Sequence, residues 1–201
     1  MARVKICGIT SQESLDAAAE ADWVGFNFYP PSPRFVTPAR AAALEGGPVR
    51  VGLFVAPTDD EIEAALALAS IDILQIYADL PRIRAVRARF ARPVWRAVGV
   101  AAAQDLPTSS DEVDGFVIEA KAPPDAELPA GNGRPFEWSV LDGWTSPLPW
   151  LLAGGLDPEN VRAAIAASQA PAVDVSSGVE RQRGVKDPDL IRLFIAEARA
   201  A

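Results

Sequence analysis

Hydrophobic residues gather in eight short runs along the chain: Val4–Cys7, Trp23–Phe28, Val49–Val55, Asp72–Tyr77, Val94–Val98, Gly115–Glu119, Trp150–Ala153 and Ala172–Ser176. The runs are continuous rather than alternating, and rich in Val, Ile, Leu and Phe, as in strands buried on both faces. Alanine-rich helical stretches separate most of them. Several helix starts carry capping chemistry. Thr10 with Glu13, and Thr58 with Glu61, have capping-box spacing. Thr37-Pro38, Asp157-Pro158 and Asp187-Pro188 each place a capping side chain before a proline suited to the first helical turn. The segments around Gln104–Ser110 and Phe136–Leu141 predict only stunted helices.

Eight strand-then-helix units of roughly 25 residues each predict an α/β fold, a compact (β/α)8 TIM barrel spanning residues 1–201 as one domain. A doubly wound open sheet is the alternative. It usually carries a glycine-rich dinucleotide loop after the first strand, and Cys7-Gly8-Ile9-Thr10 is not G-x-G-x-x-G. The Pro-rich stretch Ala122–Pro129 reads as a long loop after strand six, where barrels keep their lids. In a barrel the carboxyl ends of all strands share one face, so the residues closing the runs are the candidates for chemistry.

Charge and composition narrow the classes. Lys plus Arg is 19 against 27 Asp plus Glu, a formal charge of −8, so no basic field exists to attract nucleic acid. The cluster Arg82, Arg84, Arg87, Arg89 and Arg92 reads as the solvated face of a helix. No apolar run approaches the roughly 18–20 residues of a membrane span. The amino terminus enters a strand directly, so no secretory signal is expected. The single cysteine forms no internal disulfide, which fits a reducing cytoplasm. Histidine is absent, which removes Ser-His-Asp and Cys-His nucleophile systems and His-based zinc sites. Proton transfer falls to Cys, Asp, Glu, Lys or Tyr.

Cys7 closes strand one directly before a glycine; in isolation a lone cysteine is more often a buried core residue. Lys5 shares its strand face, and if that face is the interior its ammonium needs a partner, for which Asp174 on strand eight is the natural choice. The competing reading has Lys5 facing the helices and reaching water. Gly154-Gly155 and Ser176-Ser177-Gly178 follow strands seven and eight, the two loops from which a barrel commonly builds a phosphate site. Either alone is an ordinary turn. Together they point to a small phosphorylated ligand held by backbone N–H groups, which an acidic protein can still bind through a local nest of donors. Arg34, in the Pro-stiffened loop Tyr29–Phe35, is a candidate for an anionic or carbonyl partner, or else a surface arginine.

Five motifs together resemble the phosphoribosylanthranilate isomerase family. They are Val4-Lys5-Ile6-Cys7-Gly8-Ile9-Thr10, Ser32-Pro33-Arg34, Phe136-Glu137-Trp138, Leu152–Leu156 with Pro158–Val161, and Val173–Glu180. The resemblance runs from first strand to last helix. It implies a (β/α)8 barrel of tryptophan biosynthesis, needing no cofactor or metal and acting as monomer or homodimer. The implied reaction is the Amadori rearrangement of N-(5-phosphoribosyl)anthranilate to 1-(2-carboxyphenylamino)-1-deoxyribulose 5-phosphate. The family's general base falls on Cys7, and its general acid, an aspartate ending strand six, falls where Glu119 stands. Arg34 would face the anthranilate part and Asp174 the sugar hydroxyls, with the phosphate on Gly154, Gly155, Ser177 and Gly178.

The chain departs from the pattern around the acid. Glu119 is one methylene longer than the family's aspartate, and a shift of about 1 Å in a positioned group can cost roughly a hundredfold in rate. Tyr77 stands in place of a strand-four histidine, where it is either a substrate-side hydrogen-bond donor or a packed core residue. The loop after strand six reads Gly131-Asn132-Gly133-Arg134. These changes motivate the alternative of a non-catalytic barrel that binds a phosphorylated ligand or partner.

Overall fold

The computed structural model describes residues 1–122 and 137–201. Eight parallel strands close into a barrel in chain order: β1 (Arg3–Cys7), β2 (Trp23–Asn27), β3 (Val49–Val55), β4 (Ile73–Tyr77), β5 (Val94–Val100), β6 (Gly115–Ala120), β7 (Trp150–Leu152) and β8 (Ala172–Val175). Strand β8 returns to pair with β1, setting Lys5 beside Asp174. Helices α1 (Gln12–Ala17), α2 (Pro38–Ala42), α3 (Asp59–Leu68), α4 (Leu80–Arg89), α5 (Val161–Ser168) and α6 (Pro188–Arg199) lie in the connections and after the last strand. Between β5 and β6 stands a 3-10 turn at Ala103–Asp105, and before β7 another at Trp138–Leu141, so the two segments expected to be stunted are single turns. A short antiparallel hairpin, β9 (Glu180–Gln182) and β10 (Val185–Lys186), follows β8. The sequence pattern had not marked it. The stretch Ala122–Pro129, apart from Ala122, and the loop Gly131–Arg134 lie outside the described residues.

Local chemistry explains most helix starts. Thr37 and Thr58 each accept the backbone N–H three residues on, Thr58 within a capping box closed by Glu61. Asp187 accepts from Asp189 and Leu190. The first helix corrects the expectation by one residue: its capping box joins Ser11 and Ser14, not Thr10 and Glu13. Both pairs have the required spacing, and the spacing by itself does not choose between them. Asp157 accepts from Glu159 and Asn160 N–H groups, so it caps the turn leading into α5 rather than α5 itself, whose N-cap is Asn160. The arginine cluster on α4 is more than a solvated face. Arg82, Arg84, Arg87 and Arg89 pair with Asp59, Glu112, Asp114 and Glu63, tying α4 to its neighbours.

Two packed regions hold the fold. The larger lies between sheet and helices and includes Val4, Ile6, Val24, Phe26, Leu74, Ile76, Phe116 and Ile118. Against it α6 turns Ile191, Phe194, Ile195 and Ala198, the i, i+3, i+4, i+7 stripe of an amphipathic helix. Burying each such large side chain contributes about 1.5–3 kcal/mol. The second region fills the inside of the barrel with Trp23, Val51, Ile73, Trp95, Val117 and Leu151, inward positions of successive strands. Trp23 and Trp95 meet edge to face at 5.2 Å. These bulky residues stand near the amino ends of their strands, which leaves the room for a ligand at the carboxyl ends. Among the described residues no helix is long and apolar enough to cross a membrane.

Candidate active site

Strand alternation places Lys5 one layer below Cys7, and the interior reading of Lys5 is the correct one. Its side chain is fully buried and its Nζ donates to Asp174 Oδ2 at 2.9 Å. Burial pulls the ammonium's pKa down, but the Asp174 carboxylate and then Cys7 more than compensate and hold it above its usual value. Lys5 therefore sits charged under the thiol. Burial dominates at Cys7 and raises its pKa, while Lys5 and Lys186 pull it back. Gly25, the neighbour on β2, makes this arrangement possible. A methyl carbon built there would lie 2.9 Å from Cys7 Sγ and 3.3 Å from Lys5 Nζ.

Above this layer a cavity opens at the carboxyl ends of the strands. Cys7, Arg34, Tyr77, Glu119, Gly154, Gly155, Asp174 and Ser177 all line it. Eight of the nine residues expected from the sequence thus share one space. Gly178 does not line it; it packs against the β7 loop, where an added Cβ would meet Leu156 O at 1.9 Å. Only a residue without a side chain lets the two loops lie so close. Neither Gly154 nor Gly155 donates its backbone N–H to an acceptor among the described residues, and Ser177 opens a 3-10 turn, Ser177–Val179. Unengaged backbone donors beside the start of a short helical turn are chemically suited to an anion.

Asp174 Oδ1 is buried without a hydrogen-bond partner among the described residues, an acceptor left over beside the cavity. Gln75, buried beneath Tyr77, donates to the tyrosine oxygen at 3.2 Å. Burial first, then the charge of Glu119, holds the Tyr77 hydroxyl well above its ordinary pKa, so it remains a neutral donor. Leu53, Val55 and Leu156 supply apolar wall, suited to an aromatic ring. Arg34 is no surface arginine. It is 6% exposed, and its Nε and Nη2 donate to Glu180 at 2.6 and 3.1 Å.

Sequence reasoning missed several groups. Asn27 and Ser32 order the β2 loop: Asn27 Nδ2 and the Arg34 N–H both donate to Ser32 Oγ. Glu180 and Lys186, on the hairpin, form a buried ion pair at 2.9 Å. Burial alone would raise the Glu180 pKa, but the Arg34 hydrogen bond and the Lys186 charge press it down to about 2. No local pattern could have signalled a pair that meets Arg34 across the whole length of the chain.

A closed (β/α)8 barrel with a thiol, a carboxyl group and two glycine loops at one mouth defines the class: a barrel enzyme acting on a small phosphorylated substrate. The family model for N-(5'-phosphoribosyl)anthranilate (PRA) isomerase matches residues 4–197. The N-(5'-phosphoribosyl)anthranilate isomerase of Acidiphilium cryptum is 54% identical over 205 residues, covering 100% of both chains. The crystal structure of the Thermotoga maritima isomerase superposes with a TM-score of 0.84 at 34% identity over 100% of both chains. A phosphoribosylanthranilate isomerase crystallised with reduced 1-(o-carboxyphenylamino)-1-deoxyribulose 5-phosphate gives 0.81 at 33% identity, again over 100% of both chains. The chain belongs to the phosphoribosylanthranilate isomerase family, and it is an isomerase of tryptophan biosynthesis. Relatives named as enzymes at this identity leave the non-catalytic alternative without support.

Proposed function

We propose that this cavity carries out the Amadori rearrangement of N-(5-phosphoribosyl)anthranilate by general acid–base catalysis, with Glu119 as acid and Cys7 as base. Glu119 gives its proton to the furanose ring oxygen as the C1–oxygen bond breaks, leaving an open-chain iminium. Cys7, as thiolate, takes the proton from C2, and the electron pair flows into the iminium to give an enolamine. The enolamine then becomes the ketone by losing a proton from the C2 hydroxyl and gaining one at C1. The buried Lys5 ammonium stabilises the thiolate that the base step needs. Gly154, Gly155, Ser177 and Gly178 seat the phosphate, the last through its packing. Asp174 accepts from a sugar hydroxyl, Tyr77 donates on the substrate side and Arg34 faces the anthranilate carboxylate. The work is done in the cytoplasm, in keeping with a lone reduced cysteine.

The observation that carries this reading is the opening of Cys7, from β1, and Glu119, from β6, into the same cavity as the two glycine loops. Freshly prepared phosphoribosylanthranilate, followed by loss of its fluorescence, tests it. Cys7→Ala and Glu119→Gln should each lower kcat by about 100- to 10,000-fold, the usual range for a positioned acid or base, with KM little changed. Wild-type kcat in both variants would remove the assignment.

A further inference from the structure

Two buried charges beside the pocket have no part in the acid–base chemistry. Glu180 and Lys186, on the hairpin β9–β10, have side chains 4% and 1% exposed. Glu180 has both oxygens occupied: Oε1 accepts from Arg34 Nε at 2.6 Å and Lys186 Nζ at 2.9 Å, and Oε2 from Arg34 Nη2 at 3.1 Å and Gly184 N–H at 2.9 Å. A carboxylate so saturated neither gives nor takes a proton near neutral pH. Breaking such a network is costly, yet keeping it is weak evidence for stability, because burying charges is itself expensive. Its geometry has another consequence. A guanidinium carries five N–H groups in a rigid fork; Glu180 takes one from Nε and one from Nη2, and three remain on a side chain that lines the cavity.

The charges make the second point. An Arg34–Glu180 pair by itself is neutral and would hold little attraction for an anion. Lys186 cancels Glu180, so the triad keeps one net positive charge, carried at the cavity by Arg34. Lys186 also donates to the Ser176 carbonyl oxygen at 2.8 Å, and Ser176 Oγ donates to the Cys7 carbonyl oxygen at 3.2 Å. The hairpin is thus bonded to the strand ends on which the base sits.

We propose that Glu180 and Lys186 are positioning residues for substrate recognition: Glu180 fixes the plane of the Arg34 fork, and Lys186 restores the positive charge with which that fork meets the carboxylate on the substrate's aromatic ring. The proposal rests on the reading that Arg34 faces that carboxylate. Inhibition constants for two ligands separate the possibilities: the reduced product analogue 1-(2-carboxyphenylamino)-1-deoxyribulose 5-phosphate, and the same compound without its ring carboxylate. Lys186→Met, which neutralises the triad, and Glu180→Asp, which keeps the charge but retracts the fork, should each weaken the carboxylated ligand about tenfold or more, the scale of one charge-assisted hydrogen bond. The ligand lacking the carboxylate should change by less than about threefold. Glu180→Asp keeps the carboxylate charge and decides the question if Lys186→Met does not fold. Arg34→Met is the control. Equal loss for both ligands in Glu180→Asp, while Arg34→Met is selective, overturns the positioning role. If Arg34→Met itself fails to discriminate, the Arg34 reading fails and the proposal falls with it.

Discussion

Adding a single methyl group at Gly25 displaces the proposed base while keeping its thiol. The Cβ of Gly25→Ala would stand 2.9 Å from Cys7 Sγ, whereas ordinary contacts begin near 3.4 Å, so the thiol must retreat by about 0.5–1 Å. The backbone offers no other way out, because the same Cβ lies 3.2 Å from Cys7 Cα. Gly25 pairs in register with Cys7 in the β1–β2 ladder, and its neighbours hold both strands in place. Overpacking of this kind costs roughly 1–3 kcal/mol of stability, which a barrel with this core survives. A displacement of about 1 Å at a reacting group can cost on the order of a hundredfold. Gly25→Ala should therefore lower kcat by about 30- to 100-fold while KM moves less than about threefold, because the proposed phosphate seat is on other loops. Fluorescence-monitored turnover with a thermal melt on the same sample measures both effects. The double variant Gly25→Ala/Cys7→Ala should be no slower than Cys7→Ala. A Gly25→Ala enzyme with wild-type kcat, or losses that multiply in the double variant, would refute the idea that Cys7 placement limits the rate.

Three further outcomes follow from the geometry. Glu119→Asp keeps the acid but withdraws it by one methylene, so kcat should fall about a hundredfold; unchanged kcat would mean that the longer side chain is not what reaches the ring oxygen. Gly178→Ala drives its Cβ into Leu156 O, separating the two glycine loops, so the inhibition constant of inorganic phosphate should rise about tenfold or more, and an unchanged constant would detach Gly178 from the anion seat. Glu180, whose pKa is depressed from 4.5 to about 2, contributes stability that is fully present above its unfolded value and lost as pH falls through its folded value. The shift corresponds to about 3 kcal/mol. Denaturant melts between pH 5 and pH 2 should show wild-type stability falling more steeply than that of Glu180→Gln, and parallel curves would contradict it.

How far the sequence carries depends on how local each cause is. A strand buried on both faces announces itself as a continuous apolar run, and all eight strands lie within a residue or two of the runs that mark them. Caps at Thr37, Thr58 and Asp187 are equally local. At Thr10 and Ser11, adjacent hydroxyls each have a possible capping partner three residues on, and the helix starts from the second. Cys7, Glu119 and the glycine loops were legible because a barrel gathers strand ends at one mouth. Arg34 was half legible: the Pro-stiffened loop suggested an ordered guanidinium, but not its partner Glu180, 146 residues away. The hairpin that carries Glu180 and Lys186 is two very short strands with no apolar run, so nothing in the pattern marked it. Gly178 illustrates a subtler limit. Its position in the loop after β8 was readable, whereas its role as a spacer between backbones depends on a contact with Leu156 that only three dimensions reveal.

The most direct measurement is a crystal structure of the wild-type chain with the reduced product analogue bound. Its phosphate should lie at Gly154, Gly155 and Ser177, with Cys7 Sγ facing C2 and a Glu119 oxygen facing the former ring oxygen, each at about 3–3.5 Å. A phosphate bound elsewhere, or both reactive side chains on one side of C2 and out of reach of the ring oxygen, would contradict it.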